Sequence, residues 1–303
     1  MKDDTIILSH RNCNDGTAAA WAACNKNPQM AGSVVFCDYD PKQPWQKKVA
    51  ELGGFAGKTV YLLDYGLPMT RIVEICAAAR RVIWLDHHRS SFQALGVSDP
   101  AEDEKLDVWP GDSGYPANLE VHLDNSKAGC VLAWEHFNPG RKLPLLLQYI
   151  DDGDRWAGQF SETKEVIAGL RCINPRFREL GKYVGRDAVE ELRRLGVPLV
   201  QATEQALLGF ASRAVPIKLG GVAGLSVNSA ELASEGGHLL AEKSGTFGLT
   251  WALFETGQVK VSLRSAGGCD VAELAAKYGG GGHKRAAGFI LPSLQAMVDL
   301  LAA

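Results

Sequence analysis

Short runs of consecutive apolar residues alternate with alanine-rich segments along the first part of the chain. Continuous apolar runs are typical of strands that are buried on both faces, and the segments between them are long enough to form helices. We therefore predict the α/β class of fold, with a mostly parallel sheet covered by helices on both faces. The predicted strands cover residues 6–8, 34–36, 60–63 and 81–85, and the predicted helices cover residues 16–24 and 69–80.

The rest of the chain predicts a second, smaller α/β domain with a mixed sheet. Residues 90–125 look irregular, because three prolines lie there among acids and glycines. The predicted domain boundaries are 1–190 for the first domain, 191–212 for a helical linker and 213–303 for the second domain. Helices are predicted at residues 128–137, 143–150, 187–195, 200–211 and 271–278, and the later strands at residues 223–227, 247–254 and 259–263. A Gly-Val-Pro run at 196–198 separates the helices at 187–195 and 200–211.

Polar residues follow three of the predicted strands directly. Residues 10–15 follow the first strand, Asp64 follows the third, and residues 86–88 follow the fourth. Ligands of open parallel sheets bind beyond the carboxyl ends of the strands. We therefore expect these distant residues to meet at one edge of the sheet.

Composition narrows the class of protein. A net charge of −3 over 303 residues argues against a protein whose whole surface binds nucleic acid. This net charge is still compatible with a local basic groove. Seven scattered cysteines without a C-x-x-C pair predict reduced thiols rather than a disulfide framework. The first apolar run is too short for a secretory signal, and no stretch has the length of a membrane span. We expect a cytoplasmic protein that does not enter a membrane.

The residue types at the strand ends suit divalent cations. Carboxylates together with imidazoles form a ligand set for Mn²⁺, Mg²⁺ or Co²⁺. Two such ions about 3.5–4 Å apart neutralise a phosphate ester and activate water for its cleavage. The strand-end residues supply such a ligand set, and we expect two divalent ions there, with Mn²⁺ preferred and Mg²⁺, Co²⁺ and Zn²⁺ as alternatives.

Five motifs in order resemble those of the DHH phosphoesterase superfamily, which includes RecJ-like exonucleases and nano-RNases. The resemblance covers essentially the whole chain and implies a catalytic DHH domain followed by a DHH-associated, substrate-binding domain, with the active-site cleft between them. The motifs are Leu-Asp-His-His at 85–88, His-Arg-Asn-Cys-Asn-Asp-Gly at 10–16, Leu-Asp at 63–64, Tyr-Ile-Asp-Asp-Gly-Asp-Arg-Trp at 149–156, and four glycines with a histidine at 279–283.

The resemblance implies roles for individual residues, with Asp64 bridging the two metal ions. Asp86 would orient a histidine ring, and His88 would face the phosphate or the leaving oxygen. For the acid of the fourth motif we prefer Asp152 over Asp154, because Asp152 lies nearer the end of the predicted helix. The implied ligands are His10, Cys13 and Asp64 for the first ion, and Asp15, Asp64, His87 and Asp152 for the second.

Cys13 departs from the pattern, because many members of the superfamily have an aspartate there. A thiolate is a softer ligand that shifts selectivity toward Zn²⁺ or Fe²⁺. Cys13 is equally well interpreted as a metal ligand or as a small buried residue in the turn.

The glycine run predicts a phosphate-binding loop. Consecutive glycines allow backbone N–H groups to approach an anion closely and to form a nest. A planar guanidinium suits a second phosphate. The predicted substrate-binding residues are Arg264, Gly280, Gly281, Gly282 and His283.

The predicted substrate is a short nucleotide, namely a short oligoribonucleotide, pAp or a dinucleotide. Two alternatives stay open: an exopolyphosphatase that acts on a phosphate chain, and a catalytically weak nucleotide-binding sensor. We also consider two further kinds of partner: single-stranded nucleic-acid ends and a second copy of the chain in a homodimer.

Overall fold

The computed structural model of the protein describes residues 4–38, 45–101 and 103–302. The chain forms two compact units, Met1–Leu199 and Val200–Ala303. The division falls inside a single long helix, Arg186–Arg213. Each unit contains one six-stranded sheet and its own apolar core. The expected α/β class is therefore confirmed for both units.

The first unit alternates strands and helices through its first half, as the apolar pattern predicts. Its strands are β1 (Thr5–His10), β2 (Val34–Cys37), β3 (Thr59–Leu63), β4 (Arg81–Asp86), β5 (Lys105–Val108) and β6 (Leu119–Asp124). Its helices are α1 (Asn14–Lys26), α2 (Trp45–Glu51), α3 (Met69–Ala78), α4 (Arg89–Ala94), α5 (Gly129–Phe137), α6 (Leu145–Asp154), α7 (Thr163–Ile173) and α8 (Arg186–Arg213).

The sheet of the first unit has the order β2-β1-β3-β4-β6-β5. All neighbouring strands are parallel except β5, which pairs antiparallel with β6. The expectation that residues 90–125 are irregular is wrong, because this segment contains α4 and both β5 and β6. Strand β6 alternates Leu119, Val121 and Leu123 with polar residues. The flanking prolines lie in the turns that lead into it.

Two apolar clusters cover the two faces of this sheet. One contains α1, α5, α6 and part of α8, and the other contains α2, α3 and the large side chains of Trp84 and Phe92. In the first cluster the rings of Trp21 and Trp134 stack with centroids 5.6 Å apart, which ties α1 to α5. Stacked aromatic pairs of this kind contribute about 0.5–1.5 kcal/mol beyond the area that they bury. The two helices therefore hold a fixed position beside the carboxyl ends of β1 and β3.

The predicted break at residues 196–198 is wrong, because α8 runs through Pro198 without interruption. Tight packing against α7 accounts for the continuity. A Cβ on Gly196 would lie 1.7 Å from the carbonyl oxygen of Glu165, and one on Gly169 would lie 1.9 Å from the carbonyl oxygen of Leu192. Glycine therefore lets the two helix backbones touch, and this tertiary contact outweighs the local cost of the proline.

The second unit forms a mixed sheet with the order β11-β12-β10-β9-β8-β7. Strands β8 and β9 are parallel and the other neighbours are antiparallel. Its strands are β7 (Val215–Leu219), β8 (Val222–Asn228), β9 (Phe247–Leu253), β10 (Val259–Ser265), β11 (Gly281–His283) and β12 (Ala286–Leu291). Its helices are α9 (Ala233–Ser244), α10 (Val271–Ala276) and α11 (Leu294–Ala302). None of the helices in the described part of the chain combines the length and the apolar character needed to cross a membrane.

Candidate metal centre

The strand order places the first three polar motifs at the switch point of the first sheet. Strand β1 lies between β2 and β3, so the chain leaves β1 toward one side and returns to the other. A crevice opens at the carboxyl ends of two strands with this arrangement. His10 ends β1, Asp64 follows β3, and Asp86 ends β4. The predicted convergence of these residues at one sheet edge is what the structure shows.

Asp64 lies at the centre of this edge in an unusual backbone conformation. Its φ is +52°, in the left-handed region that side chains other than glycine rarely adopt. Its N–H donates to the carbonyl oxygen of Leu85 at 3.0 Å, and this bond fixes the turn after β3. Gly129 of α5 packs against it, because an added Cβ there would lie 2.6 Å from the Cβ of Asp64. The backbone therefore directs this carboxylate inward at the cost of local strain.

His87 approaches three carboxylates with one ring nitrogen. Its Nε2 lies 3.2 Å from Oδ1 of Asp64, 3.5 Å from Oδ2 of Asp15 and 3.5 Å from Oδ2 of Asp154. In a second group, side-chain ligand atoms of His10, Cys13 and Asp64 all lie within 4.8 Å of one another. Asp64 belongs to both groups, so two sets of ligands share one carboxylate. We call the six residues His10, Cys13, Asp15, Asp64, His87 and Asp154 the strand-end cluster.

The unpaired polar atoms of the strand-end cluster fit a divalent cation. Both carboxylate oxygens of Asp64 are buried and accept no hydrogen bond from any residue that the structure describes. Nε2 of His87 is buried as well and has no hydrogen-bond partner within the same described ranges. A buried charge without a partner costs several kcal/mol. A cation among these atoms would remove that cost, and carboxylate with imidazole is a ligand set for Mn²⁺ and related ions.

Asp15 is held by the beginning of α5. Its carboxylate accepts hydrogen bonds from the N–H groups of Gly129 and Cys130, each at 2.7 Å. These N–H groups belong to the first turn of the helix, where they have no partner within the helix and where the helix dipole favours a negative charge. Our sequence analysis did not identify Gly129 and Cys130 as part of the site. The Ala-Gly-Cys run that opens a predicted helix was the available signal, but small residues there are common without any such role.

Asp86 holds the ring of the neighbouring His88, and one of its carboxylate oxygens also lies within 4.8 Å of ligand atoms of Asp64, His87 and His88. Its Oδ1 lies 2.7 Å from Nδ1 of His88 and accepts the N–H of His87 at 2.8 Å. Its Oδ2 accepts the hydroxyl of Ser91, a residue that sequence reasoning missed. Gly66 lies close to this contact, since a Cβ there would lie 2.5 Å from Oγ of Ser91. Asp86 is fully buried, so its hydrogen bonds fix the orientation of the His88 ring.

The structure brings Asp154, and not Asp152, into the cluster, which corrects the preference drawn from the sequence. The carboxylate of Asp152 is buried and already satisfied, with the N–H of Gln159 at 2.6 Å and the hydroxyl of Thr163 as donors. Asp154 lies two residues further along α6, on the side that faces His87. Helical spacing explains the difference, since residues two apart point in directions about 200° apart.

Crowding of like charges raises carboxylate pKa values in the metal-free cluster. Burial, and then the nearby charge of Asp15, raises the pKa of Asp154 to about 6. The same two causes raise the pKa of Asp64 well above its ordinary value. Burial also raises the pKa of the Cys13 thiol, with Asp64 as the next cause. A bound cation would oppose all three effects, because it favours the deprotonated form of each ligand.

His88 shows the opposite behaviour. Burial lowers the pKa of this imidazole, but the charge and the hydrogen bond of Asp86 outweigh burial and raise it to about 9. Conversely, although burial favours the neutral acid, the charge of His88 and the hydrogen bonds described above hold the pKa of Asp86 below its usual range. In the metal-free cluster Asp86 therefore favours the protonated form of the His88 ring, with Nδ1–H donated to Asp86.

The predicted substrate-binding residues lie in the second unit. Arg264 of β10 donates to Oγ of Ser234 at 2.6 Å and packs against Gly237 of α9. Arg264 and His283 are both paired with Ala286 of β12, so the two positions lie in one row across the sheet. The side chain of His283 lies outside the described part of the chain. No role in substrate binding follows from these positions alone.

The glycine run does not form the open loop that we expected. Gly281 and Gly282 belong to β11, which pairs antiparallel with β12. The N–H of Gly280 donates to the carbonyl oxygen of Ala275 at the end of α10, so it is not available to an anion. Gly282 has a φ of +143°, and a Cβ there would lie 2.5 Å from the carbonyl oxygen of Ala286. The glycines therefore serve a close strand pairing, and the nest of four N–H groups is corrected to a hairpin.

Fold and cluster together define an α/β protein whose parallel sheet carries a candidate centre for divalent metal ions. Residues 222–303 match the DHHA1 domain, which begins at the start of β8 and covers most of the second unit. This match covers the part of the chain that contains the glycine and histidine motif at 279–283, and it agrees with the resemblance to the DHH phosphoesterase superfamily.

Comparisons with individual proteins give further similarities. The uncharacterised protein R106 of Acanthamoeba polyphaga mimivirus is 24% identical over 307 residues, covering 96% of this chain and 68% of that protein. Among solved structures, the pGpG-specific phosphodiesterase PggH from Vibrio cholerae is 13% identical, with a TM-score of 0.46 and coverage of 99% of this chain and 96% of that one. The exonuclease RecJ bound to manganese is 14% identical, with a TM-score of 0.45 and coverage of 95% and 85%.

Proposed function

We propose that this chain is a metal-dependent phosphoesterase that hydrolyses phosphodiester or phosphomonoester bonds of short nucleotide substrates. The observation that carries the proposal is the buried carboxylate of Asp64, which has no donor in the described chain and lies 3.2 Å from Nε2 of His87. The DHHA1 domain at residues 222–303 supports the same class of enzyme. Divalent ions in this centre would supply the positive charge that neutralises a phosphate and activates water.

The residues of the strand-end cluster divide into two ligand sets in this proposal. Asp64 would be shared, so each ion would have at least one carboxylate and one imidazole among its ligands. Mn²⁺ suits these ligands, and Mg²⁺, Co²⁺ and Zn²⁺ are alternatives. The first set is His10, Cys13 and Asp64, and the second is Asp15, Asp64, His87 and Asp154.

His88 is the proton donor in the proposed reaction. Its Nδ1 lies 2.7 Å from Oδ1 of Asp86, so Nε2 is the ring nitrogen left for the substrate. A ring fixed in this way donates its second N–H to a phosphate oxygen or to the leaving oxygen. Arg264 is the proposed partner of a further phosphate on the substrate.

A substrate panel tests the proposal. The full chain is stripped of metal, loaded with Mn²⁺, Mg²⁺, Co²⁺ or Zn²⁺, and assayed for products released from pAp, short oligoribonucleotides, linear and cyclic dinucleotides, and polyphosphate. We expect metal-dependent release of nucleotide or phosphate from at least one nucleotide substrate. Activity on polyphosphate alone would identify an exopolyphosphatase, and no activity on any substrate would refute the enzyme proposal.

Cys13 favours one alternative, a nucleotide-binding sensor with weak catalysis. Its thiol occupies a ligand position where an aspartate is usual, and burial raises its pKa. Hydrolysis and nucleotide binding are therefore measured together for the wild type and for Cys13→Asp. If the natural chain binds nucleotide without turnover and the variant gains turnover, the natural chain is a sensor. Single-stranded nucleic-acid ends, a homodimer and a cytoplasmic location stay predictions.

A further inference from the structure

A second group of metal-binding side chains lies in the first unit, outside the strand-end cluster. Ligand atoms of Glu120, His122 and His136 all lie within 4.8 Å of one another. Oε1 of Glu120 is 2.9 Å from Nε2 of His122, and the rings of His122 and His136 have centroids 6.3 Å apart. We call these three residues the β6–α5 cluster.

Strand and helix geometry bring the β6–α5 cluster together. Glu120 and His122 are two residues apart on β6, so they project from the same face of the sheet. Leu119, Val121 and Leu123 project from the other face, into an apolar core. His136 lies in the last turn of α5. The cluster is thus formed by two elements whose positions are fixed by other contacts.

The hydrogen bonds around His122 leave one ring nitrogen facing an acceptor. Nδ1 of His122 is 2.7 Å from Oδ1 of Asp107, on the neighbouring strand β5. A neutral ring that donates Nδ1–H to Asp107 presents a lone pair at Nε2, and this lone pair faces Oε1 of Glu120 at 2.9 Å. Two acceptors at this distance repel unless a proton or a cation lies between or beside them. An Asp-His pair of this kind also orients histidine ligands in metal sites.

The charge of the surroundings suits a cation. The second carboxylate oxygen of Glu120 is paired with the guanidinium of Arg81. Two carboxylates, Glu120 and Asp107, therefore accompany one arginine. Glu120 is almost fully buried, with 5% of its side chain exposed, so its remaining oxygen has little access to water.

We infer that Glu120, His122 and His136 form a second metal site that takes Zn²⁺ and fastens the end of α5 to the sheet. Two imidazoles and one carboxylate are a ligand set of zinc, with a fourth position for water. The strand-end cluster differs, since its three carboxylates suit harder ions such as Mn²⁺.

A zinc ion here would act on the helix that also supports the strand-end cluster. The first turn of α5 donates two N–H groups to Asp15, and His136 lies near the other end of the same helix. Seven residues of helix separate Gly129 from His136, about 10 Å along the axis. The inference does not depend on the proposed reaction, because the site would stabilise the fold whatever the substrate is.

Metal content measures the site directly. The double variant Asp64→Asn, His87→Asn weakens the strand-end cluster, and the full chain in this background is dialysed against Zn²⁺ and analysed for bound zinc. We expect one zinc per chain, which His122→Ala or His136→Ala removes. His238→Ala is the matched control, because this histidine lies on α9 of the second unit, and it should leave the zinc content unchanged. Zinc retained in both His122→Ala and His136→Ala would overturn the inference.

Graded variants separate a metal site from a purely hydrogen-bonded cluster. His136→Cys keeps a zinc ligand and should retain the metal. Asp107→Asn removes only the partner of His122 and should weaken zinc affinity on the order of 10-fold. If neither variant differs from His136→Ala in zinc affinity, His136 is not a ligand and the inference is wrong.

If the double variant does not fold, crystals of the wild-type chain soaked in Zn²⁺ provide a second test. Anomalous scattering at the zinc edge should give a peak about 2.0–2.1 Å from a ring nitrogen of His122 and of His136. A peak at the strand-end cluster without one between β6 and α5 would refute the second site.

Discussion

An aspartate-histidine pair lies beside the strand-end cluster, and a similar pair lies at the β6–α5 cluster in different surroundings. In each, Nδ1 of a histidine lies 2.7 Å from an aspartate oxygen: His88 with Asp86, and His122 with Asp107. Asp86 is fully buried, whereas 56% of the Asp107 side chain is exposed. The buried pair is therefore much less screened by solvent than the exposed pair.

The two clusters also differ in how the protein compensates their carboxylates. Asp64 has no hydrogen-bond donor among the described residues, while Glu120 is paired with the guanidinium of Arg81. An uncompensated buried carboxylate destabilises the metal-free fold, and in the proposed function it is retained because it binds cations. A compensated one contributes to the fold by itself. Replacing Asp64 or Glu120 by its neutral amide should therefore change the stability of the metal-free chain in opposite directions.

The largest expected effect is the difference in turnover between the variants Asp64→Asn and Glu120→Gln. Loss of the shared carboxylate removes charge stabilisation worth several kcal/mol, and at about 1.4 kcal/mol per tenfold this lowers turnover on the order of 10³-fold. The same variant should unfold at a higher temperature than the wild type when both are free of metal. Glu120→Gln should leave turnover within a few-fold. Steady-state assays and thermal unfolding in chelator measure both quantities, and equal losses of turnover in the two variants would remove the distinction between the clusters.

The next prediction concerns the two acids of α6. Asp154→Asn should weaken Mn²⁺ binding, because its carboxylate lies 3.5 Å from His87, and should leave the stability of the metal-free chain unchanged or raised. Asp152→Asn should lower the free energy of unfolding by about 1–3 kcal/mol, because it disturbs a buried acceptor of several hydrogen bonds. Mn²⁺ titration and urea unfolding of both variants check this. The reverse pattern would restore Asp152 as the ligand.

The sequence predicted the part of the strand-end cluster that depends on strand periodicity. The strands before His10, Asp64 and Asp86 are continuous apolar runs, and parallel strands bring their carboxyl ends to one edge. The choice between Asp152 and Asp154 depended instead on which side of α6 faces the sheet. That orientation is set by packing between distant elements, and a single sequence does not contain it.

The β6–α5 cluster shows a different limit of sequence reading. Strand β6 lies in a stretch where prolines and acids suggested irregular structure, so Glu120 and His122 were not assigned to a strand. His136 on a neighbouring helix then had no visible partner. The error in secondary structure thus concealed the cluster. The prediction of a phosphate-binding loop at the glycine run was wrong for a related reason. The conformational freedom of glycine permits a tight strand pairing as readily as an anion-binding nest.

Opposite pH dependences should distinguish the clusters in the metal-free chain. The pKa of Asp154 is raised to about 6, so its contribution to stability is present at low pH and is lost as pH rises through about 6. Burial lowers the pKa of His136, so its contribution is lost as pH falls through the ordinary range of histidine, near 6.5. The unfolding temperature is measured as a function of pH. In Asp154→Asn it should fall less as pH rises, and in His136→Gln it should fall less as pH decreases. Each difference from the wild type should be on the order of a few degrees.

Mn²⁺ provides the control for this pH profile. It should raise the unfolding temperature of the wild type more above pH 6 than below it, since protons compete for the ligands. Mn²⁺ stabilisation that is constant across this range would contradict the assignment of the alkaline side to the strand-end cluster.

The smallest expected effect lies at the support of the buried Asp-His pair. Ser91→Ala removes the hydroxyl donor to Oδ2 of Asp86 and should cost about 1 kcal/mol of unfolding free energy. Ser90→Ala is the matched control, because this neighbouring serine is exposed and should change stability by much less. Because Oδ1 of Asp86 keeps its bond to His88, the ring should remain protonated in Ser91→Ala, and its pKa, followed by NMR of the imidazole, should stay well above the ordinary value. A large fall of that pKa in Ser91→Ala would mean that the hydroxyl, rather than the charge and hydrogen bond of Asp86, controls the histidine. The contrast with the exposed Asp107 pair would then depend on one hydrogen bond.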